Sequence, residues 1–136
     1  VLKRYYLNQY GMSMLYVTHD LGVLAQICDR IAVMYAGRLA EVAPTDELYH
    51  NPRHPYSQGL IAAVPRVSTP PDSDRQLRGL LRRDSLPAGC RFAPRCGYAV
   101  PDCFDRAPAM VTVSEGHDVA CWRWEEIAER KMRDDA

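Results

Sequence analysis

The segment Ser13-Met-Leu-Tyr-Val-Thr-His-Asp-Leu-Gly-Val-Leu-Ala25 places a short apolar run directly before a helix signal. Residues 13–18 are rich in aromatic and β-branched side chains and predict a buried parallel strand. Asp20 predicts a helix N-cap, because apolar residues follow it at helical spacing. His19 therefore falls at the carboxyl end of a strand, which is where open α/β sheets bind their ligands.

The segments on either side of this step continue an alternation of helices and strands, which predicts one edge of an α/β domain over residues 1–64. The other predicted elements are a helix over 1–10 that ends at Gly11, strands over 31–35 and 38–42 joined by a reversal at Ala36-Gly37, a helix over 46–49 capped by Thr45, and a helix that begins at Pro55 and ends before Pro65.

The composition of the chain changes at residue 65. Seven of the ten prolines lie between residues 65 and 108, and the polar, proline-rich stretch predicts a linker over 65–86. Residues 87–136 show little periodicity and contain four of the five cysteines. We therefore predict an irregular, Cys-rich tail that ends in a charged helix over residues 122–133.

Composition excludes several classes of protein. The 136 residues are 47% hydrophobic, which is typical of a folded globular chain. Seventeen Lys and Arg balance seventeen Asp and Glu, so no overall charge attracts nucleic acid, and we expect no nucleic-acid partner. The sequence contains neither an apolar stretch long enough to span a bilayer nor a secretory signal. It also begins without Met, inside a predicted helix, so we expect a fragment of a longer protein.

Cys90, Cys96, Cys103 and Cys121 follow the spacing C-x5-C-x6-C-x17-C in a region with little apolar core. A pair of disulfides would suit a secreted protein. A structural Zn²⁺ with four thiolates is a second possibility, although zinc sites usually pair ligands at C-x2-4-C. An iron–sulfur cluster also takes four thiolates and accepts looser spacing. The neighbouring Arg91 and Arg95 are expected to offset the thiolate charge.

Other candidate residues have simpler interpretations. His117 precedes Cys121 by four residues and is a possible alternative ligand, but a surface loop histidine is the favoured interpretation. His54 and Tyr56 are expected to cap and pack the start of a helix. Cys28 is expected to be a small, buried hydrophobic residue. We expect Trp122 and Trp124 to pack the last helix against the cysteine loop.

Three spaced motifs together resemble one family. Tyr16-Val-Thr-His-Asp-Leu-Gly-Val-Leu-Ala25 and Cys28-Asp-Arg-Ile-Ala-Val-Met-Tyr-Ala-Gly-Arg-Leu-Ala-Glu41 resemble the C-terminal half of an ABC-transporter ATP-binding subunit. Asn51-Pro-Arg-His-Pro-Tyr-Ser-Gln-Gly-Leu60 resembles the tail of oligopeptide/dipeptide importer ATPases. The implied fold is the C-terminal portion of a P-loop NTPase (ABC ATPase) core, followed by the Cys-rich tail.

The resemblance implies a function for the whole protein that this chain does not carry alone. It implies that His19 contacts the γ-phosphate of ATP and that the full-length subunit uses ATP with Mg²⁺ to drive peptide import. The implied partners are a second ATPase subunit, identical or different, and membrane permease subunits, at the cytoplasmic face of the cell membrane. The sequence contains no G-x-x-x-x-G-K-[S/T] phosphate loop, so we expect the chain alone to be inactive.

The resemblance also bears on the cysteines. Some members of the family carry a [4Fe–4S] cluster at the matching four positions, which favours the cluster over zinc at Cys90, Cys96, Cys103 and Cys121. The rival interpretation is a free-standing zinc- or cluster-binding interaction module without nucleotide function.

Overall fold

A computed structural model describes residues 9–64 and 83–134. Residues 83–85 and 93–95 form single 3₁₀ turns. The helices and strands, in chain order, are α1 (Leu21–Ile27), β1 (Arg30–Tyr35), β2 (Arg38–Pro44), α2 (Thr45–His50), α3 (Pro55–Ala62), α4 (Pro101–Asp105), β3 (Val111–Ser114), β4 (His117–Val119) and α5 (Trp124–Asp134).

The described strands form one four-stranded antiparallel sheet in the order β1-β2-β4-β3. The β1–β2 hairpin was predicted, and its turn has positive φ at both Ala36 (48°) and Gly37 (81°). A two-residue reversal of this kind matches the twist of the flanking strands. On the far side of β2, Glu41 pairs with Val119, so the C-terminal part of the chain extends the same sheet.

The apolar core lies between the hairpin and the first three helices. Alternate side chains of β1 are buried, as expected for a strand with one covered face. Cys28 is half-buried and packs against this core, as predicted for a small hydrophobe. The buried members of the core are Leu24, Ile31, Val33, Ala40, Ala43, Leu48 and Ile61.

The predicted parallel strand over residues 13–18 is wrong in this structure. Residues 11–18 have no regular secondary structure, and their apolar side chains are exposed, with Leu15 at 93% and Val17 at 89%. A strand needs a neighbour for its backbone N–H and C=O groups, and no described strand pairs with this segment. Asp20 does cap α1, because its Oδ1 accepts the N–H of Val23 at 3.0 Å.

Two further predictions differ from the structure. Thr45 is the first residue of α2 and not its cap, because its hydroxyl donates to the carbonyl of Cys28 at 2.6 Å. The short strands β3 and β4 were not predicted. Most of the predicted N-terminal helix and of the linker over 65–86 lies outside the described residues, although residues 9–10 are helical.

No helix in residues 9–64 or 83–134 has the length and apolar character that crossing a bilayer requires.

Candidate functional site: a cavity lined by four cysteines

The structure brings the four tail cysteines together around one cavity. Cys90, Cys96, Cys103 and Cys121 all line it, although the first and the last are 31 positions apart along the chain. All five cysteines of the chain are free thiols, and Cys28 does not line this cavity. The four predicted ligands therefore lie around the same cavity. Its other walls are formed by His54, Pro55, Phe92, Ala93, Tyr98, Ala99, Pro108, Trp122 and Arg123.

Backbone hydrogen bonds hold the cysteine-bearing loop in place. The N–H of Cys90 donates to the carbonyl of Cys103 at 2.7 Å, and the N–H of Gly89 donates to Phe104 at 2.9 Å. These two bonds join the start of the loop to α4. The 3₁₀ turn before Cys96 ends with a hydrogen bond from the N–H of Cys96 to the carbonyl of Ala93 at 3.1 Å. The loop is thus fixed by backbone groups without a large apolar core.

The fourth cysteine reaches the cavity through the sheet. Cys121 is the second residue after β4, and the N–H of the intervening Ala120 donates to the carbonyl of Ala40 in β2 at 2.9 Å. Val119 and Ala120 are both buried. The position of Cys121 therefore depends on how β4 pairs with β2.

Burial controls the protonation of these thiols. It raises the pKa of Cys90 and Cys96 and raises the pKa of Cys121 to about 12. The neighbouring thiols raise these pKa values further, since two thiolates repel each other. In the metal-free chain Cys90, Cys96 and Cys121 are therefore protonated at neutral pH, and binding a metal through them must release their protons.

Several donors around the cavity favour negative charge on sulfur. The N–H of Tyr98 donates to Cys96 Sγ at 3.4 Å, and the backbone N–H of Arg123 counteracts the rise in the pKa of Cys121. The Arg123 side chain also lines the cavity, held by a 3.0 Å bond to the carbonyl of Tyr98. Backbone N–H groups and one guanidinium thus face the thiols.

The expected role of Arg91 and Arg95 is wrong. Arg91 donates to the carbonyl of Ala36, and Arg95 donates to the hydroxyl of Tyr35 at 3.3 Å, so both contact the β1–β2 hairpin. Neither lines the cavity. Arg123, which sequence reasoning missed, takes that place because it follows Cys121 by two residues.

Across the described ranges, no group of three or more His, Cys, Asp or Glu side chains is arranged to hold a metal ion. The four thiols share a cavity but do not form a closed, single-ion site. A tetrahedral zinc site would need sulfurs about 4 Å apart, because each Zn–S bond is about 2.3 Å long.

A cluster of rings attaches the cysteine loop to the rest of the fold. Phe92, between the first two cysteines, is 3% exposed, and its ring centroid lies 5.2 Å from Tyr35 and 5.4 Å from Tyr56. His54 lies 5.8 Å from Phe92 and caps α3, since its Nδ1 accepts the N–H of Tyr56 at 3.0 Å. The predicted capping and packing roles of His54 and Tyr56 are confirmed.

Trp122 lines the cavity but is 45% exposed and precedes α5, so the packing of the last helix by the two tryptophans stays a prediction. The Nε1 of Trp122 donates to the carbonyl of Arg106 at 2.9 Å, and the Arg106 guanidinium lies 5.2 Å from its ring. The fully buried residue of α5 is Ile127, at 1% exposure.

The stability of the metal-free chain should fall as the pH drops from about 6.5 to about 4. Burial lowers the pKa of His54 to about 4, against a small opposing effect of the nearby Glu41. In this window the unfolded chain binds a proton at residue 54 that the folded chain does not, so acid favours unfolding. The loss is on the order of 3 kcal/mol, measured by urea denaturation across this range. The His54→Asn variant, which keeps a capping oxygen, should show a flatter profile; an unchanged profile contradicts the prediction.

The predicted surface location of His117 is wrong. This side chain and that of Glu41 are both 0% exposed, and His117 Nε2 donates to Glu41 Oε1 at 2.6 Å. The two carboxylate oxygens of Glu41 also accept the N–H groups of Arg53 at 2.6 Å and His54 at 3.0 Å. Burial alone raises the pKa of Glu41, but its hydrogen bonds, led by that of His117, lower it overall. His117 does not line the cavity and is therefore no thiolate substitute.

His19 lies outside the lining of the cysteine cavity. It is exposed, in the irregular segment just before α1. The residues that a nucleotide site needs in addition are not found beside it in the described ranges, where the neighbouring polar contacts are those of Thr18 and Asp20.

Comparison with known proteins agrees with the motifs. Residues 40–103 match the family described as the oligopeptide/dipeptide transporter, C-terminal region. A peptide import ATP-binding protein of Brucella ovis is 44% identical over 128 residues, which is 89% of this chain and 38% of that protein. The oligopeptide transport ATP-binding protein AppD of Bacillus subtilis is 40% identical over 120 residues, which is 88% of this chain and 37% of AppD.

A third relative, a peptide ABC transporter ATP-binding protein of Sinorhizobium fredii, is 38% identical over 125 residues, which is 88% of this chain and 36% of that protein. The chain thus spans little more than a third of the length of these curated relatives. The resemblance drawn from the motifs is confirmed: residues 40–103 match the C-terminal region of oligopeptide/dipeptide transporters, and most of the chain is similar to peptide transport ATP-binding proteins.

Proposed function

We propose that this chain is the C-terminal part of the ATP-hydrolysing subunit of a peptide importer and that its four tail cysteines hold a [4Fe–4S] cluster. The single observation that carries the cluster proposal is the convergence of Cys90, Cys96, Cys103 and Cys121 on one cavity. The relatives are named as a peptide import and an oligopeptide transport ATP-binding protein, which supports the importer. The proposal divides the chain into an ATPase portion (1–64), a linker (65–86) and a cluster-binding tail (87–136).

The residues around the cavity fit a cluster. Four thiols match the usual ligand set of a [4Fe–4S] cluster. Hydrogen bonds to the sulfurs tune such clusters, and the Tyr98 N–H already donates to Cys96 Sγ. The Arg123 guanidinium offsets part of the negative charge that four thiolates would bring.

The proposal of a cluster in place of a single zinc ion rests on the family resemblance, in which some members carry a [4Fe–4S] cluster at the matching four positions.

The role proposed for the cluster is structural. The tail has few buried apolar side chains, and the four cysteines come from the loop, from α4 and from the second position after β4. When bound, the cluster would join these segments through iron–sulfur bonds. Metal-binding free energy of this kind adds directly to folding free energy.

His19 is proposed to contact the γ-phosphate of ATP in the complete subunit, with Mg²⁺ and the phosphate loop supplied by other residues. Its exposure, before the capped start of α1, leaves the imidazole accessible. The exposed apolar side chains of residues 12–17 fit a segment that pairs with further strands of an ATPase core. A second ATPase subunit and membrane permeases, at the cytoplasmic face of the membrane, remain the proposed partners.

Anaerobic purification tests the cluster. We expect brown protein with broad absorption near ~400 nm and about four iron atoms and four sulfides per chain. Cys121→Ala should lose most of this iron, whereas Cys28→Ala should keep it, because Cys28 lies away from the cavity. Colourless protein with one zinc per chain would overturn the cluster, and iron loss in Cys28→Ala equal to that in Cys121→Ala would overturn the ligand assignment.

A further inference from the structure

The hydrogen bonds of His54 fix which of its ring nitrogens carries the proton. Nδ1 accepts the backbone N–H of Tyr56 at 3.0 Å, and an accepting nitrogen cannot also hold a proton. In the neutral ring the proton is therefore on Nε2. The backbone of His54 is fixed as well, since its N–H donates to Glu41 Oε2 at 3.0 Å.

The Nε2–H group of His54 has no hydrogen-bond partner within residues 9–64 and 83–134. The side chain as a whole is only 3% exposed, yet Nε2 is not among the atoms that are sealed from solvent without a partner. Its N–H is therefore open to an acceptor. The same ring lines the four-cysteine cavity, which it shares with Phe92. Four of the side chains that line this cavity present sulfur atoms, which accept hydrogen bonds when they are ionised.

We propose that His54 donates a hydrogen bond from Nε2 to an anionic sulfur of the cluster, either a cysteine thiolate or a bridging sulfide. The inference rests on the proposed cluster and assigns a role to a residue outside the four cysteines. His54 does not replace a thiolate; it is a positioning and tuning residue whose ring is set by Glu41, Tyr56 and Phe92.

A hydrogen bond to sulfur stabilises the reduced cluster, because reduction adds negative charge to the sulfurs. Loss of the bond should shift the reduction equilibrium about tenfold toward the oxidised form, which is about 59 mV for a one-electron couple. The exposed His50, whose ring bonds to the carbonyl of Asp46 at 2.8 Å, provides a matched control.

The experiment uses the reconstituted chain with ¹⁵N-labelled histidine, reduced and examined by pulsed electron paramagnetic resonance. We expect a ¹⁵N coupling to the cluster that disappears in His54→Asn and persists in His50→Asn. Asn keeps a capping oxygen for α3, but its amide ends short of the Nε2 position. The His54→Asn variant should retain its iron, and the reduction potential of its cluster should be lower than that of the unchanged chain. In the iron-free chain, NMR should show Nδ1 of His54 unprotonated.

The outcomes separate the two proposals. Normal iron and sulfide content with no ¹⁵N coupling, or a coupling that survives His54→Asn, overturns the role of His54 and leaves the cluster intact. A protonated Nδ1 in the iron-free chain also overturns it. Failure of the unchanged chain to take up iron and sulfide overturns the cluster, and the role of His54 falls with it.

Discussion

The His117→Ala variant will have a free energy of unfolding about 3–5 kcal/mol lower than that of the unchanged chain. His117 donates a side-chain hydrogen bond to Glu41 at 2.6 Å, and both side chains are fully buried. Without the imidazole, a carboxylate would stay in the interior with its charge only partly satisfied by the N–H groups of Arg53 and His54. Urea denaturation of the metal-free chain measures the difference.

The control is Glu47→Gln. Glu47 Oε2 lies 4.0 Å from His117 Nδ1, but the Glu47 side chain is 45% exposed. The free energy of unfolding of Glu47→Gln should therefore fall by less than about 1 kcal/mol. The Glu41→Gln, His117→Ala double variant should be more stable than the sum of the single losses predicts, because its buried group is no longer charged. A His117→Ala loss no larger than that of Glu47→Gln contradicts the assignment.

The contribution of Glu41 to stability depends on pH. The pKa of Glu41 is lowered in the folded chain, so its contribution to stability is present above the ordinary value of 4.5 and is lost as the pH falls through the folded value. His54 acts in an adjoining window, between about 6.5 and about 4. Both effects have the same sign, so acid lowers the stability of the folded chain.

The sequence predicts those parts of the fold whose signals are local. An apolar run, an Ala-Gly reversal and a second run are enough to predict the β1–β2 hairpin, and Asp20 and Pro55 mark helix starts through capping and N1 preferences. Residues 13–18 carry an equally strong strand pattern, yet a strand forms only where another strand pairs with it. The sequence pattern therefore shows that residues 13–18 favour a strand, but it does not show which strand would pair with them.

The contacts that build the site are long-range, and the sequence does not reveal them. Seventy-six residues separate Glu41 from His117, and β4 has only three residues, two of them polar. A histidine in such a segment looks like a loop residue until its partner is known. The four cysteines were identifiable because thiols at spaced positions have few other uses, whereas Arg123 and His54 carry no comparable signal.

The second large effect is expected at Gly89. A Cβ built there would overlap the carbonyl oxygen of Cys103 and lie 2.8 Å from the carbonyl carbon of Phe104 and 2.9 Å from the backbone N of Arg106. These are backbone atoms and cannot rotate away as a side chain would. The Gly89→Ala variant must therefore break the backbone hydrogen bond from Cys90 N–H to the carbonyl of Cys103. We expect its free energy of unfolding to fall by about 3 kcal/mol.

Gly97, in the same loop, provides the matched control. Nothing lies within 4 Å of a Cβ at this position, so Gly97→Ala should leave stability within about 0.5 kcal/mol of the unchanged chain. Denaturation of both metal-free variants tests the close approach of the two backbone segments independently of any cluster. Iron content then tests its consequence, because displacing Cys90 from Cys103 opens the cavity: Gly89→Ala should bind little iron and Gly97→Ala the full amount. Equal stability of the two variants would show that the loop does not depend on this backbone contact.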